Sequence, residues 1–251
     1  MIFQVCAPVA DVCSIPDHDA AREKYESQLV FGELFDGEDN GHGWIYGTCL
    51  HDGYKGYVDA QHLSADIIEP THKVVSARSH VYARSTMKSP LVTTLSYGSR
   101  VSIIAKTDRY AQLDTGEWTF LKNLAPADAI EPDFAATALL FLETQYYWGG
   151  RSGFGIDCSG LVQVSLEAAK IMVPRDTDDQ FDKIGEHVPP GLLKRNDIVY
   201  FPGHVGIMLD ATHIIHANGF HMKTVVEPLS IVAARSEALD GKGVISVRRF
   251  N

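Results

Sequence analysis

The sequence predicts an α+β chain in which two small β barrels precede a domain that packs a buried helix on an antiparallel sheet. Three observations predict this arrangement. The first half consists of short β-type segments, separated by Gly, Asn and Asp, and the pattern occurs twice. A helical pattern with apolar residues on nearly all sides begins at Cys158. Strand-like segments follow that helix towards the end of the chain.

The repeat predicts the two barrels. "LVFGELFDGEDNGHGWIYG" at 29–47 aligns with "LSYGSRVSIIAKTDRYAQL" at 95–113. Further along, 56–63 aligns with 117–124 at an offset that is five residues smaller. The first copy therefore holds five additional residues, around "HDGYK" at 51–55. A longer loop on a repeated scaffold is either a place for binding residues or a tolerated insertion.

A change in composition at "APADAIEPD" predicts the start of a third domain. We expect barrels at 1–70 and 71–129 and the last domain at 130–251. In that domain, apolar spacing predicts one helix over 133–145 and a second from 158 to about 172. The residues expected on or beside the buried face of the first helix are Phe134, Ala138, Leu139, Phe141 and Leu142. Strands are predicted at 197–201, 204–210, 212–217 and 244–250.

Composition and charge exclude several classes of partner. The chain has 251 residues, of which 45% are hydrophobic, enough for one large core or for several small ones. Its 22 basic and 32 acidic residues give a formal net charge of -10 without a basic cluster, so we expect no nucleic acid partner. No segment reaches the roughly 18 consecutive apolar residues of a membrane span, so we expect no membrane partner.

The N-terminus and the cysteines predict a cytoplasmic protein. "MIFQVCAPVADV" lacks the basic region and the uninterrupted apolar stretch of a secretory signal, so we expect the chain not to be exported. Its four cysteines form no CxxC pair and no disulfide-dense spacing, which favours reduced thiols. A mature chain without its signal would have the same pattern.

Cys158 lies where a helix is predicted to begin. Free backbone N–H groups and the positive end of the helix dipole favour a thiolate there, and can lower the thiol pKa from about 8.5 to below about 7.5. The same N–H groups can stabilise an oxyanion. The alternative is a buried thiol that only fills space.

Two histidines on a predicted hairpin are candidates for the base and its orienting partner. The strands that carry His204 and His216 are joined by a tight turn, so the two rings can lie side by side, one deprotonating Cys158 and the other holding the tautomer. Ordinary strand residues are the alternative. Zinc is a competing use for one Cys and two His, but this spacing has none of the short ligand pairs of zinc sites, so we predict no metal and no cofactor.

Five short motifs follow one another in the last domain: "YYWGG" (146–150), "DCSGLV" (157–162), "RNDIVYF" (195–201), "HVGIML" (204–209) and "IIHA" (214–217). By these motifs the domain resembles the NlpC/p60 family of papain-like cysteine peptidases. The resemblance implies that Cys158 is the nucleophile, His204 the general base and later acid, and His216 the third member. It also implies that Tyr146 lies beside the oxyanion site, whereas an aromatic residue packed at a helix end is the alternative.

The first half resembles the pair of bacterial SH3-like domains that precede the catalytic domain in some family members. Those members are gamma-D-glutamyl-L-diamino acid endopeptidases, which hydrolyse murein peptides with a free N-terminal L-Ala. By this resemblance Glu26 in "YESQLVFGE" meets the substrate amine, and Tyr54 in "DGYKGYV" lines the same pocket. Thr177 in "PRDTDDQ" takes the place of a substrate-contacting serine or threonine. Glu26 as a solvated charge is the alternative.

The position of Asp157 next to Cys158 independently favours a substrate with a free amine. A carboxylate at Asp157, next to the nucleophile, disfavours a thiolate by repulsion, and a substrate ammonium would offset that repulsion. Ser159 could accept a hydrogen bond from the same amine, and Glu26 would increase the selectivity for a cation. A role as the N-cap of the helix is an equally good interpretation of Asp157.

We therefore expect a cytoplasmic cysteine endopeptidase that recycles cell-wall peptides by cutting between D-Glu and meso-diaminopimelate or L-Lys. The expected partner is the murein peptide L-Ala-gamma-D-Glu-diamino acid. The alternative is a murein-binding, wall-targeting module with secondary hydrolase or acyltransferase activity.

Overall fold

The structure is a computed structural model that describes residues 1–17, 25–39, 41–189 and 191–250, without the side chains of 182 and 183. It divides the chain into two compact units. The first consists of Met1–Ala129 with Ser152–Phe154, and the second consists of Ile130–Arg151 with Gly155–Asn251. The assignment of separate barrels to 1–70 and 71–129 stays a prediction.

One antiparallel sheet contains the first seven strands, in the order β3-β2-β6-β5-β4-β1-β7. Alternation of buried and exposed residues along these strands places a core of Val, Leu, Phe and Ile side chains on one face. The strands are β1 (Ile2–Val5), β2 (Val9–Cys13), β3 (Tyr25–Val30), β4 (Leu34–Asp39), β5 (Trp44–Cys49), β6 (Lys55–Asp59) and β7 (Leu63–Ser64). A 3-10 turn at Ala60–His62 connects the last two.

The next eight strands form a five-stranded sheet, β10-β9-β14-β13-β12, and a three-stranded sheet, β11-β8-β15. They enclose a smaller core of Val and Leu side chains. The strands are β8 (His72–Val74), β9 (Arg78–Tyr82), β10 (Leu91–Ser96), β11 (Arg100–Val101), β12 (Ile103–Lys106), β13 (Tyr110–Leu113), β14 (Trp118–Phe120) and β15 (Leu124–Pro126). A second 3-10 turn spans Leu121–Asn123.

The internal repeat is visible in the backbone. Gly32 and Gly98 both have a positive φ, of 80° and 82°, which only glycine adopts without strain. Trp44 begins β5 and Tyr110 begins β13, as their alignment requires. The five additional residues of the first copy lengthen the β5–β6 hairpin relative to the β13–β14 hairpin.

The second unit contains all four helices of the described residues and a six-stranded antiparallel sheet, β18-β23-β19-β20-β21-β22. Helix α2 packs against α1, β20 and β21. The elements after β15 are α1 (Phe134–Leu139), β16 (Arg151–Ser152), β17 (Gly155–Ile156), α2 (Cys158–Ala168), α3 (Thr177–Lys183), β18 (Glu186–His187), β19 (Ile198–Phe201), β20 (His204–Met208), β21 (His213–Asn218), β22 (Lys223–Pro228), α4 (Leu229–Asp240) and β23 (Ser246–Arg249).

Both predicted helices are shorter than expected. Helix α1 stops at Leu139 because the next residues form tight turns, with Leu140 N–H donating to the Thr137 carbonyl and Leu142 N–H to the Leu139 carbonyl. Leu139 and Leu142 are therefore exposed. Helix α2 ends at Ala168, and Lys170 adopts a positive φ of 59° that stops a right-handed helix.

Of the described residues, none belongs to a helix that is long and apolar enough to cross a membrane.

Candidate active site

Cys158 is the first residue of α2, and local sequence explains why the helix starts there. The Asp157 side chain caps the helix by accepting a hydrogen bond from Gly160 N at 2.8 Å. Gly160 approaches the Gly150 carbonyl so closely that a Cβ at this position would overlap with it. The N-cap interpretation of Asp157 is therefore the one observed.

Asp157 is buried and its charge is compensated. Arg175 forms a two-point contact with it, NH1 to Oδ1 at 3.0 Å and NH2 to Oδ2 at 2.6 Å, while Gly149 N donates to Oδ2 at 2.8 Å. Ser159 Oγ accepts from Arg175 at 2.8 Å and lies 3.4 Å from Asp157 Oδ1. The pairing of Asp157 with Arg175 has no counterpart among the expectations from the sequence. Contact of Asp157 and Ser159 with a substrate amine stays a prediction.

The Cys158 thiol is 8% exposed and its pKa is raised, which corrects the expectation of a lowered value. Burial raises the pKa to about 11, and the Asp157 charge acts in the same direction. The backbone N–H groups of Ser159 and Val205 and the Thr177 hydroxyl, 3.8 Å from Sγ, oppose this shift without overcoming it. The helix start therefore orients the sulfur, but the thiol is protonated at neutral pH.

His204 and His216 lie side by side, with His204 Nε2 2.7 Å from His216 Nδ1. His204 is the first residue of β20, next to the Val205 whose N–H points at the Cys158 sulfur. His204 as a whole is half-buried. Burial and the neighbouring His216 lower the His204 pKa to about 3, so the resting ring is neutral.

Glu227 extends this pair, and sequence reasoning missed it. His216 is 1% exposed, and its Nε2 lies 3.0 Å from Glu227 Oε2. Arg235 holds the same carboxylate through contacts of 3.0 and 2.6 Å, and this arginine is the main reason that the Glu227 pKa falls to about 2. His221 Nε2 lies 3.2 Å from Oε2 as well. Glu227 is therefore ionised and accepts hydrogen bonds only.

An ionised Glu227 determines the tautomers of His204 and His216. His216 must donate through Nε2–H to the carboxylate, so its Nδ1 accepts from His204 Nε2–H. His204 Nδ1 is then unprotonated and available as a base. Asn218 Nδ2 lies 3.2 Å from His216 Nε2 and is not a donor to it in this tautomer, since that nitrogen already carries a proton.

A glycine makes room for the histidine pair. A Cβ on Gly206, in β20, would lie 2.9 Å from the Cβ of His216 and 2.8 Å from Cδ1 of Ile214. Any side chain at this position would therefore press on the strand that carries His216.

Tyr146 and Thr177 lie in the same unit as the histidine pair and the thiol. Burial raises the Tyr146 pKa, and the neighbouring Cys158 and Asp157 act in the same direction, which places its phenol near the nucleophile. Thr177 begins α3 and contacts the sulfur as described above. Their roles in catalysis and substrate binding stay predictions.

Glu26 and Tyr54 lie in the first unit and are described within it. Glu26, in β3, is near Cys13, whose pKa rises to about 12 through burial, Asp11 and Glu26 in that order. Tyr54 precedes β6 and packs against the core of the seven-stranded sheet. Their predicted role in a substrate pocket stays a prediction.

Among the described residues there is no group of three or more His, Cys, Asp or Glu side chains placed to hold a metal ion. None of the four cysteines is paired with another.

Arg175 and Glu227 had weak signals in the sequence. Arg175 lies inside the motif "PRDTDDQ", but its partner Asp157 is 18 residues away and nothing in the pattern pairs them. Glu227 belongs to "KTVVEP", a β-type segment whose two valines were its strand signal and which pairs with β21 as β22. Strand pairing puts Glu227 opposite Ile214, two residues from His216 and on the same face.

Comparison with known families gives two matches. Residues 143–235 match the NlpC/P60 family, and residues 12–63 match the bacterial dipeptidyl-peptidase Sh3 domain. The first range includes the thiol, both histidines and Glu227. The second includes Glu26 and Tyr54.

Individual relatives agree with these matches. The chain is similar to a dipeptidyl-peptidase 6 of Lysinibacillus sphaericus, with 26% identity over 70% of this chain and 73% of that relative. It is also similar to a gamma-D-glutamyl-L-lysine dipeptidyl-peptidase of Bacillus subtilis, with 29% identity over 66% of this chain and 60% of that relative. A crystal structure of an NlpC/P60 family protein from Bacillus cereus has the same fold, with a TM-score of 0.84 at 19% identity, covering 100% of this chain and 99% of that one.

Proposed function

The chain belongs to the NlpC/P60 family and is a peptidase, and from this premise we propose that it hydrolyses the gamma-D-glutamyl-L-diamino acid bond of murein peptides. The observation that carries the proposal is the His204–His216–Glu227 hydrogen-bonded series, which begins next to Val205, the residue whose N–H points at the Cys158 sulfur at the start of α2. The names of relatives support the bond type, since one is a gamma-D-glutamyl-L-lysine dipeptidyl-peptidase.

Acylation begins from a neutral thiol and a neutral imidazole. His204 Nδ1 takes the proton of Cys158 as the sulfur attacks the D-Glu side-chain carbonyl. The imidazolium that forms is stabilised through His216 by the Glu227 charge, which favours the protonated form of His204. The backbone N–H groups at the start of α2, with the Tyr146 hydroxyl, stabilise the oxyanion.

Collapse of the tetrahedral intermediate breaks the C–N bond and leaves a thioester on Cys158. His204 gives its proton to the departing amine of the diamino acid. Water then attacks the thioester, His204 accepts the proton of that water, and the sulfur leaves as thiolate and recovers the proton. The acyl product is L-Ala-D-Glu.

We propose that the substrate carries a free N-terminal L-Ala. Glu26 and Tyr54 would meet the ammonium group, together with the Asp157–Ser159 pair, and Thr177 would contact the substrate beside the sulfur. The Sh3-domain match at 12–63 supports a substrate role for this region. We further propose that the protein acts on freed peptides in the cytoplasm, in cell-wall peptide recycling.

The nucleophile is tested by Cys158→Ala, which should abolish hydrolysis of L-Ala-gamma-D-Glu-diaminopimelate while the circular dichroism spectrum stays that of the wild type. Mass spectrometry of the products gives the cleaved bond. Retained hydrolysis by a folded Cys158→Ala protein would refute the mechanism.

The amine requirement is tested with the same tripeptide carrying an N-acetyl group. The acetylated peptide should be cut at least about 100-fold more slowly, because acetylation removes the charge that pairs with a carboxylate. Equal rates for the two peptides would exclude a pocket for the amine without affecting the assignment of Cys158.

Pulldown with insoluble murein distinguishes a recycling enzyme, which should not bind it, from a wall-targeting module.

A further inference from the structure

One face of the five-stranded sheet of the first unit is aromatic and basic. Arg78, His80 and Tyr82 alternate along β9 with the buried Ser79 and Val81, so they share the outer face. Trp118 pairs with Tyr82 across β14 and β9, and Tyr110 pairs with Phe120 across β13 and β14. Because directly opposed residues share a face, these side chains stand together on the outside of three adjacent strands.

An open cavity of about 290 Å³ lies on this face, lined by Arg78, His80, Tyr82, Arg109, Tyr110 and Phe120, with a methionine and an asparagine. The rings meet edge to face, with centroids 6.4 Å apart for Tyr82 and Tyr110 and 6.0 Å apart for Tyr110 and Phe120. The cavity is at the lower end of the roughly 300–1,000 Å³ of small-ligand sites. It is large enough for one or two amino-acid residues.

The cations of this cavity have no carboxylate partners. No Asp or Glu lines it, and within the described part of the chain neither Arg78 nor Arg109 forms an ion pair. The Arg109 guanidinium instead lies 5.6 Å from the centroid of the Phe120 ring. His80 Nδ1 contacts the Thr94 hydroxyl at 2.9 Å, which leaves Nε2 for another partner.

The charge of the surrounding segment favours an anion. Residues 71–129 carry eight Lys and Arg against four Asp and Glu, a formal charge of +4 in a chain whose net charge is -10. Residues 1–70 carry three basic and thirteen acidic residues, so the reversal of sign is confined to the segment that holds the cavity.

We propose that this cavity, named here the β9–β14 cavity, binds a short peptide through a free carboxylate. The guanidinium groups of Arg78 and Arg109 bind the carboxylate, because a planar guanidinium can donate two parallel hydrogen bonds to it. The Tyr82, Tyr110 and Phe120 rings contact the aliphatic part of the terminal residue. An anion without apolar groups would leave this aromatic surface uncovered, so a peptide end fits better than a bare ion. None of the residues that line this cavity belongs to the Cys158 site.

The experiment is an NMR titration of the full chain carrying Cys158→Ala with N-acetyl-Ala-Ala. The acetyl group removes the amine that the proposed catalytic pocket requires, so this probe separates the two sites. We expect saturable shifts at the amides of β9, β13 and β14, and at least tenfold weaker binding of the C-terminal amide, N-acetyl-Ala-Ala-NH2. The double variant Arg78→Gln/Arg109→Gln should also lose at least tenfold in affinity.

The matched control is Lys88→Gln, which removes an exposed cation of the same segment that does not line the cavity, and it should bind like the parent. Both arginines are exposed, so their replacement leaves the core intact. Absence of saturable shifts, equal affinity for the acid and the amide, or undiminished binding by the double variant would each overturn the proposal. Equally tight binding of inorganic phosphate would overturn the peptide part of it.

Discussion

At the scale of single residues, the candidate active site depends on two ion pairs that sequence separation hides. Arg175 compensates Asp157 beside the nucleophile, and Arg235 holds Glu227 behind the histidines. For the buried Asp157–Arg175 pair, removing one partner costs about 3–5 kcal/mol, because the remaining charge stays buried. Arg235 therefore keeps Glu227 ionised, whereas the Asp157 charge still raises the pKa of the Cys158 thiol despite its pairing with Arg175.

The first prediction concerns the protonation of Cys158. Because burial raises its pKa to about 11, the rate of its alkylation by iodoacetamide should rise about 100-fold from pH 7 to pH 9. Mass spectrometry of the peptide that contains Cys158 measures this rate. A Cys6→Ser background removes the exposed competing thiol. A rate that is constant from pH 6 to pH 8 would show instead that the resting state is a thiolate–imidazolium pair.

The second prediction makes Glu227 a positioning residue. Glu227→Gln should lower kcat about 10- to 100-fold, a part of the 10²–10⁴ that a well-placed base contributes. Since the Glu227 charge raises the His204 pKa, its loss should also move the acidic limb of kcat/KM to lower pH. The control is Glu237→Gln, an exposed carboxylate on the adjoining helix α4. A loss of kcat with an unchanged pH profile would mean that Glu227 only maintains the fold.

The identities of the candidate site residues were the easiest part of the site to predict from the sequence. A cysteine before an apolar helix, two histidines on adjacent strands and an aspartate next to the cysteine have local signals, and the resemblance to a known family added Tyr146. The pKa of the Cys158 thiol is raised, although a lowered value was expected. The helix start favours a thiolate, but burial opposes it more strongly. Burial is a property of the packed structure and has no local signal.

At the scale of elements, the site is built from one helix start and one hairpin. The start of α2 orients the sulfur, and β20 and β21 hold the two imidazole rings in register through the pairs Ile207–Ile215 and Met208–Ile214. Close approach of β20 to the side of β21 that carries His216 requires a residue without a side chain at 206.

The third prediction tests this close approach. Gly206→Ala should destabilise the protein by about 1–3 kcal/mol, the usual cost of overpacking, and should reduce turnover by displacing His216. Urea unfolding and tripeptide hydrolysis measure the two effects. Gly219→Ala is the matched control, because no atom lies within 4 Å of a Cβ at that position. If both variants unfold at the same urea concentration, the packing argument fails.

Element types were easier to predict than their ends. The strands β19, β20, β21 and β23 were expected from their apolar patterns, but β22 and the helices α3 and α4 were not. Helix α4 has 12 residues with only Val232 buried, so it lacks the clear apolar stripe on which pattern reading depends. The ends of α1 and α2 are decided by turns and by a left-handed residue, which apolar spacing does not reveal.

At the scale of the whole molecule, buried neutral histidines make stability depend on pH. The His204 pKa is lowered from 6.5 to about 3, so the unfolded chain takes up a proton in this window that the native state does not. The contribution is fully present above pH 6.5 and is lost as the pH falls. Glu227, lowered from 4.5 to about 2, adds a loss in the same direction below pH 4.5.

The fourth prediction follows from this linkage. Between pH 7 and pH 4.5 the free energy of unfolding should fall by about 1–3 kcal/mol through His204, allowing for its partial exposure. His204→Asn should remove that part of the pH dependence. Urea unfolding of both proteins at the two pH values gives the comparison. An identical decrease in both would mean that His204 does not contribute.

By itself, the sequence predicted the α+β class, the internal repeat, the resemblance to the NlpC/P60 family and the residues proposed as nucleophile and base. These depend on periodicity and on short motifs, which are local. Only the tertiary structure decided the protonation of Cys158, the pairing of Asp157 with Arg175 and the place of Glu227 behind His216. Those properties depend on desolvation and on contacts between distant segments, and both exist only once the chain is packed.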